Sequence, residues 1–466
     1  TDAGAGVKLH GYLGTDAGDL FVKTAGDLSI RNADSANIAL NVQGDIEQHW
    51  KIHAEKTIDI QAQNYASQEN AELTSKERIT VTTEQNQTHL GEVSSDNVNL
   101  QSEQDIALQG QLVARQSLLM NSGRDIRFKN LEIDARAAEI NGQGDLSFEN
   151  SQLRSIRDLP INTGSINLDD KSSINTVLSN VAITTTRTLN NAGSIYGRTL
   201  DINSGEEGVN TGTIASEKSL SINAAGFDNQ NKVQSQGTLR LRAGALGLQS
   251  TGTLQAKSGL SLGSQGDIRL GGQTSGDSIT VNGDQSLYLN GSVSAPGLIY
   301  LHAKNQLINR GSIASNDRVD ILGASIENQT DASINSTADL YLNSTGSIIN
   351  SGSVASGEKL SIIAANISND NSGLINSVKA LDVVVSGSID NAGHWASKSL
   401  LNIQSASLSS IGGSIEAQDT ISLDIGDMDF NGRLHTAQGL VFTGDNLTTQ
   451  STAQISAKQL QITAAG

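Results

Sequence analysis

The sequence predicts an all-β chain that folds as a right-handed parallel β-helix, with about 20 residues per turn and roughly 22 to 23 turns. Three observations predict this fold class. An apolar residue recurs every 19 to 21 positions, the apolar positions between recurrences alternate with polar ones, and no window has a sustained i, i+3, i+4, i+7 apolar stripe. A fixed period of this kind indicates one small structural unit stacked on itself.

The recurring apolar residue, here called the anchor, marks the start of each unit. It is followed six to eight positions later by an apolar-x-apolar pair, as Ile313 is followed by Val319 and Ile321. This alternation is typical of half-buried strands. The predicted apolar anchors are Ile52, Leu73, Val93, Val113, Ile133, Leu153, Ile174, Ile195, Ile214, Val233, Leu254, Val293, Ile313, Ile334, Val354, Leu374, Trp395, Ile415, Leu434 and Ile455. Weaker copies are predicted at Leu13 and Ala33, and one polar copy at Gln273.

The short runs between turns favour a coiled chain, in which each strand pairs in parallel with its equivalent one turn away. At about 4.8 Å per turn, residues 1–466 would form a single rod on the order of 105 Å long. We expect residues 170–466 to be the regular part and residues 1–160 to be more acidic and less regular. Because the chain starts and stops within the repeat, we also expect it to be a piece of a longer rod. Trp395 occupies an anchor position and is therefore predicted to lie in the core.

Two corner motifs support the turns. Asn-x-Gly precedes five anchors, and we predict that stacked asparagine amides form a hydrogen-bonded ladder, with glycine supplying a positive φ at the corner. An asparagine-lined binding stripe is the alternative. The residues are Asn191, Gly193, Asn210, Gly212, Asn309, Gly311, Asn350, Gly352, Asn391 and Gly393. In the second motif, Gly-Asp precedes Leu or Ile, as at Gly26-Asp27 and Gly144-Asp145, and we expect the aspartate to bond the backbone of its own turn.

Composition excludes several classes of function. The net charge of −18 disfavours binding to nucleic acid or to an anionic membrane. No apolar run approaches 18 residues, so we expect no membrane insertion by this segment. The chain has no cysteine, which rules out disulfides and thiolate metal sites. We expect no metal and no cofactor.

The repeats resemble those of filamentous haemagglutinin and of the CdiA-type exoproteins of two-partner secretion. The resemblance is carried by residues 191–202, 350–362 and 391–403, which share Asn-x-Gly, an anchor two residues on and a Leu-x-Ile pair. It implies an extracellular shaft at the surface of a Gram-negative bacterium. The implied partners are an outer-membrane transporter and a receptor on a target cell or host. The shaft would act in adhesion, or would present a receptor-binding region or a toxin in contact-dependent growth inhibition.

The acidic N-terminal part is the predicted contact region. Its first 110 residues hold 17 Asp or Glu against seven Lys or Arg, together with four of the seven histidines. Exposed aromatic residues are enriched at recognition sites. We therefore predict receptor contacts within residues 40–110, at His49, Trp50, His53, Tyr65 and His89. The alternative is that these residues are ordinary solvated positions of the rod.

An enzyme is the competing class, because parallel β-helices also form polysaccharide lyases, hydrolases and phage tailspike proteins. Their sites use acidic side chains on one outer face. The candidate acids here are Asp169 with Asp170, Glu206 with Glu207, and Asp427 with Asp429. None recurs in register with a second acid and a base, and the units vary too little in length to build groove walls. We therefore predict no catalytic residues.

Overall fold

Parallel strands stacked turn upon turn make up this protein. The computed structural model describes residues 6–15, 17–176 and 178–465, and the chain divides into two units, Thr1–Gln236 and Gly237–Gly466. The described residues form strands and turns and contain no helix. The strands build a β-solenoid of about 23 turns with roughly 20 residues per turn, which confirms the predicted fold class. That all 466 residues form one rod remains a prediction.

The strands of the first unit are short, and several are joined across a corner into longer ones. They are β1 (Val7–Gly14), β2 (Asp19–Thr24), β3 (Leu28–Val42), β4 (Ile46–Ala62), β5 (Tyr65–Ser67), β6 (Glu72–Ser75), β7 (Arg78–Thr83), β8 (Gln87–His89), β9 (Glu92–Ser102), β10 (Ile106–Ser122), β11 (Ile126–Ala135), β12 (Ala138–Gly142), β13 (Asp145–Glu149), β14 (Gln152–Ser155), β15 (Leu159–Thr163), β16 (Ser165–Leu168), β17 (Ser173–Thr176), β18 (Asn180–Thr185), β19 (Leu189–Asn191), β20 (Ser194–Ser204), β21 (Glu207–Asn210), β22 (Thr213–Asn229) and β23 (Lys232–Ser235).

The second unit repeats the same pattern. Its strands are β24 (Thr238–Ser250), β25 (Thr253–Ala256), β26 (Gly259–Ser264), β27 (Ile268–Leu270), β28 (Gln273–Ser275), β29 (Ser278–Gly283), β30 (Leu287–Leu289), β31 (Ser292–Ala295), β32 (Ile299–Asn309), β33 (Ser312–Ser315), β34 (Val319–Asn328), β35 (Ser333–Ser336), β36 (Leu340–Ser344), β37 (Ser347–Asn350), β38 (Ser353–Ser356), β39 (Lys359–Ala364), β40 (Asn366–Asn369), β41 (Leu374–Ser377), β42 (Ala380–Asn391), β43 (His394–Ser397), β44 (Leu400–Ala417), β45 (Thr420–Thr436), β46 (Gly439–Gly444), β47 (Asn446–Thr449), β48 (Gln454–Ser456) and β49 (Gln459–Ala464).

Equivalent residues of successive turns pair directly, so each inward position becomes a column of apolar side chains. In the second unit Ile313 pairs with Ile334 and Ile334 pairs with Val354, all three of them buried. Inward and outward residues alternate along strands such as β36 and β39, as the period-2 pattern predicts. The narrow interior is therefore filled mainly by Ile, Leu and Val, and each turn is held chiefly by its two neighbours.

Three predicted anchors are wrong by one residue. The neighbouring residue is the buried one, and it takes its place in the column through the observed pairing of strands. The physical reason is that the corners vary in length by a residue, which shifts the inward position without changing the period. The corrected anchors are Leu112 instead of Val113, Thr274 instead of Gln273, and Ile375 instead of Leu374.

Trp395 lies in the core, which confirms its prediction. Its side chain is fully buried between Ile375 and Ile415, the equivalent residues of the two neighbouring turns. The indole Nε1 has no hydrogen-bond partner. Its position is therefore set by packing alone.

Within the residues that the structure describes, no helix is long and apolar enough to cross a membrane.

Candidate functional site

Buried asparagine side chains form two ladders that run along the stacked turns. In the first unit the side-chain Nδ2 of Asn191 donates to Oδ1 of Asn210 at 2.7 Å, and Asn210 donates to Asn229 at 2.8 Å. In the second unit the same bond links five successive turns at 2.8 to 2.9 Å. Its members are Asn309, Asn328, Asn350, Asn369 and Asn391.

The ladder asparagines also hold the corner backbone. Asn350 Nδ2 donates to the carbonyl of Leu374 at 3.3 Å, in addition to its bond to Asn369. All ladder members are buried, so their amides are inaccessible to a ligand and satisfy each other instead. This placement supports a structural role over a binding stripe.

The glycines of Asn-x-Gly are required for a different reason from the one predicted. Their φ angles lie outside the left-handed region, which among the described glycines holds only Gly110, Gly247 and Gly412. Instead, the backbone of the preceding turn passes very close. A Cβ at Gly311 would lie 1.9 Å from the carbonyl oxygen of Gly291, so any side chain there would collide with the neighbouring turn.

The aspartates of the second corner motif bond to the next turn, which corrects the expectation that they bond to their own. Oδ1 of Asp27 accepts the backbone N–H of Asp45 at 2.9 Å, one turn further along. Asp125 holds the same corner position, although Arg124 and not glycine precedes it, and its Oδ1 accepts the N–H of Asp145, also at 2.9 Å. Arg127 bridges two successive carboxylates through ion pairs to Asp105 at 3.0 Å and to Asp125 at 2.6 Å. The aspartate column therefore stabilises the stacking of turns.

Trp50 stands on a bulge at one corner of the first unit. Along the pairing of β3 with β4, Ile30 is opposite Gln48 and Asn32 is opposite Lys51, so His49 and Trp50 share the place of one residue. An extra residue of this kind turns a side chain out of the regular alternation. Trp50 is 52% exposed. We call residues 48–53 the Trp50 corner.

The two histidines of the Trp50 corner have separate partners. His49 Nε2 lies 2.7 Å from the hydroxyl of Ser29, whereas His53 Nδ1 lies 2.9 Å from the hydroxyl of Thr74 in the next turn. Both side chains are half-buried. Among the described residues, no group of three or more His, Asp or Glu is placed to hold a metal ion.

Tyr65 and His89 lie inside the solenoid, each about 1% exposed, so the expectation that they form part of an exposed contact surface is wrong. Tyr65 pairs with Ile46 of the preceding turn, and His89 pairs with Leu108 of the following turn. Each therefore occupies an inward column that is aliphatic in the neighbouring turn. In this structure neither side chain can touch a receptor, and only His49, Trp50 and His53 of the predicted contact residues remain at the surface.

Together with two glutamines, these side chains make a polar cluster in the core, here called the interior cluster: Gln48, Tyr65, Gln87 and His89. The Tyr65 hydroxyl donates to the side-chain oxygen of Gln48, and the Tyr65 and His89 rings lie 4.7 Å apart. His89 Nε2 lies 3.4 Å from Oε1 of Gln87. Burial lowers the pKa of His89 to about 3 and raises that of Tyr65, so both are neutral at pH 7. The sequence pattern did not single out the two glutamines, although each pairs with an isoleucine of a neighbouring turn.

Two candidate acids of the enzyme alternative, Asp169 and Asp427, accept hydrogen bonds that hold the turns. Oδ2 of Asp169 accepts the N–H of Asn150 at 2.8 Å, and Oδ1 accepts the N–H of Lys171 and the hydroxyl of Ser172. Partial burial opposes ionisation of Asp169, but these hydrogen bonds outweigh it and lower its pKa. Asp427 accepts a hydrogen bond from Asn446 at 2.7 Å, one turn further along.

Comparison with known proteins identifies the repeat. The family model for the haemagglutinin repeat matches residues 162–207, 197–247, 343–426 and 426–466. No curated protein and no solved structure matches the chain significantly. Haemagglutinin-repeat proteins are secreted or exposed at the cell surface, and they form a structural and adhesin family. The matched ranges cover a little under half of the chain, and together with the β-solenoid they support a shaft of the filamentous haemagglutinin type.

Proposed function

We propose that this chain is a spacer shaft that is exported through an outer-membrane transporter and holds a binding region or a toxin away from the surface of a Gram-negative bacterium. The single observation that carries the proposal is the repetition of buried inter-turn ladders, in which the same asparagine hydrogen bond ties each laddered turn to the next. Stability in such a solenoid is roughly a sum of neighbour contacts. Length can then change by whole turns without loss of the fold.

Whole-turn deletions in the parent exoprotein test this proposal. Removing residues 314–334 takes out one turn, because Ile313 then continues into Asn335, which pairs with Ala314 in the intact chain. Removing residues 314–395 takes out four turns, about 19 Å of rise at about 4.8 Å per turn. We expect both variants to be secreted and folded, whereas deletion of residues 314–324 breaks the register and serves as a misfolded control.

The readout is contact with target cells, measured as adhesion to host cells and as growth inhibition of bacterial cells. Shortening by four turns should reduce contact while secretion persists. If the four-turn deletion leaves contact with target cells unchanged, contact does not depend on shaft length and the spacer proposal is wrong. A reduced response in the host-cell assay indicates adhesion, whereas a reduced response in the growth assay indicates contact-dependent growth inhibition.

The chain has no catalytic role in this proposal. In support, both carboxylate oxygens of Asp169 accept hydrogen bonds from its own turn and its neighbour, which gives this acid a role in the turn structure. The test is incubation of the purified chain with acidic and neutral polysaccharides, with and without Ca²⁺. Depolymerisation would revive the lyase or hydrolase alternative.

A second proposal is that the Trp50 corner contacts the receptor. The supporting observation is a large aromatic ring, 52% exposed, on a bulge at a corner of the first unit. Trp50→Ala and His53→Ala should weaken binding of the purified chain to target cells. Leu246→Ala, which removes a 70% exposed apolar side chain from the second unit, is the matched control. Equal binding by all three variants would contradict this placement.

A further inference from the structure

The interior cluster interrupts two inward columns that are aliphatic on either side of it. One column runs through Ile46, Tyr65, Gln87 and Ile106, and the other through Gln48, Ser67, His89 and Leu108. Its central members are at most 1% exposed. Of the seven histidines in the chain, all of them described, only His89 is buried. The cluster is thus a local departure from the core and not part of the repeat.

Hydrogen bonds connect this cluster directly to the Trp50 corner. Gln48 Nε2 donates to the backbone carbonyl of Trp50 at 2.8 Å and to that of Glu72, in the next turn, also at 2.8 Å. Its Oε1 accepts the hydroxyl of Tyr65, whose ring packs on His89. A single buried amide therefore fixes the backbone of two successive corners, and it is itself held by the cluster.

The closed core offers no hydrogen-bond acceptor for a second N–H on the imidazole of His89. Its Nδ1 is buried without a hydrogen-bond partner, and its Nε2 faces Gln87. On the strands that pair with β8, the residues opposite Gln87 and His89 are Tyr65 on β5 and Ile106 and Leu108 on β10. Tyr65 is the one ionisable group among them. It is neutral, and its hydroxyl donates a hydrogen bond to Gln48. A positive charge on His89 would therefore be buried without a counter-charge.

We propose that the interior cluster is an acid-sensitive switch that holds the Trp50 corner in place at neutral pH and lets it open locally as the pH falls. Opening exposes His89 to water, where the imidazole accepts a proton near its ordinary pKa of 6.5, whereas in the closed core that pKa is about 3. A lowered pKa in the closed state means that closure is fully favoured above pH 6.5 and is progressively weakened between pH 6.5 and about 3.

The size of the effect follows from these two values. At about pH 5, some 1.5 units below the open-state pKa, the open form is favoured about 30-fold more than at neutral pH. The opening is local because each turn of a solenoid contacts chiefly its neighbours. The switch is independent of whether the Trp50 corner binds a receptor.

Hydrogen exchange of the full chain, followed by mass spectrometry at about pH 7.5 and about pH 5, tests the proposal. After correction for intrinsic exchange rates, peptides covering residues 46–75 and 87–108 should open about 30-fold more at the lower pH. Peptides covering residues 340–391 of the second unit, which contain no histidine, are the internal reference. Their opening should change little.

Two substitutions assign the effect to His89. His89→Gln keeps a polar side chain that does not titrate, and His89→Leu installs the residue found at the equivalent position of the next turn, so both should abolish the acid-induced opening. His53→Gln removes a half-buried histidine of the Trp50 corner and should leave the acid-induced opening unchanged. Acid-induced opening that persists in both His89 variants, or that appears equally in the reference peptides, overturns the proposal.

Discussion

Removal of one amide from the middle of the asparagine ladder should destabilise the second unit strongly. Asn350 accepts a hydrogen bond from Asn328 at 2.8 Å and donates to Asn369 at 2.8 Å, and all three side chains are buried. In Asn350→Ala, one N–H of Asn328 and Oδ1 of Asn369 lose their partners in the core. An unsatisfied buried polar group costs about 1 to 3 kcal/mol, so we expect a loss of about 2 to 5 kcal/mol.

The assay is urea unfolding of the full chain, followed by far-ultraviolet circular dichroism and by Trp395 fluorescence, which reports on the second unit. The matched control is Asn402→Ala. Asn402 also donates to a side chain one turn away, Oδ1 of Asp382 at 2.7 Å, but it is exposed to solvent. Water replaces that partner, so we expect a change within about 0.5 kcal/mol.

Comparing the stability losses of the two variants shows whether burial of the amide, or its hydrogen bond alone, is the source of the destabilisation. If Asn350→Ala and Asn402→Ala lose the same small amount, the ladder contributes no more than a surface hydrogen bond and the reasoning is refuted. The slope of the unfolding free energy with urea should be unchanged in both variants, because a changed slope would indicate altered cooperativity and not a lost contact.

Three further pairs of substitutions have expected outcomes that urea unfolding checks. Gly311→Ala places a methyl group 1.9 Å from a carbonyl oxygen and should cost about 1 to 3 kcal/mol, whereas Gly259→Ala, whose Cβ meets nothing nearer than 3.6 Å, should be neutral. Trp395→Ala should cost about 3 to 5 kcal/mol through the cavity, and the exposed Trp50→Ala less than about 0.5. Asp125→Ala should destabilise more than Asp125→Asn, because the amide oxygen still accepts the backbone N–H of the next turn. Equal effects within any of these three pairs would contradict the corresponding reasoning.

The period of the sequence predicted the fold because it reports the stacking directly, but it fixed the register only to within one residue. At Leu112 and Val113, and at Leu374 and Ile375, both neighbours are apolar, so the period alone cannot choose which one points inward. Corner length decides the matter, and corner length depends on backbone geometry that a one-dimensional pattern does not contain. The columns that flank these positions were predicted correctly, because there apolar and polar residues alternate without ambiguity.

The ladder was predicted only where glycine marks it. Asn229, Asn328 and Asn369 are ladder members that lack a glycine two residues later, so the motif passed over them. Their spacing of 19 to 22 residues from the recognised asparagines carries the missing signal. The same kind of spacing would have placed Tyr65 in the core, since it follows the buried Ile46 by 19 residues.

Buried polar groups that recur at one register in successive turns support the fold, whereas buried polar groups that occur once need another explanation. The buried asparagines recur turn after turn at one register, and each satisfies the next, as a stacking device must. The interior cluster follows no such rule, because its polar groups pair only among themselves and with local backbone, and aliphatic residues bracket them in the same columns. Gln48 joins the interior cluster to the bulge beneath Trp50 through its bond to the Trp50 carbonyl. A core irregularity and a surface irregularity that share one amide are coupled in structure, so a change in His89 has a direct path to the Trp50 corner.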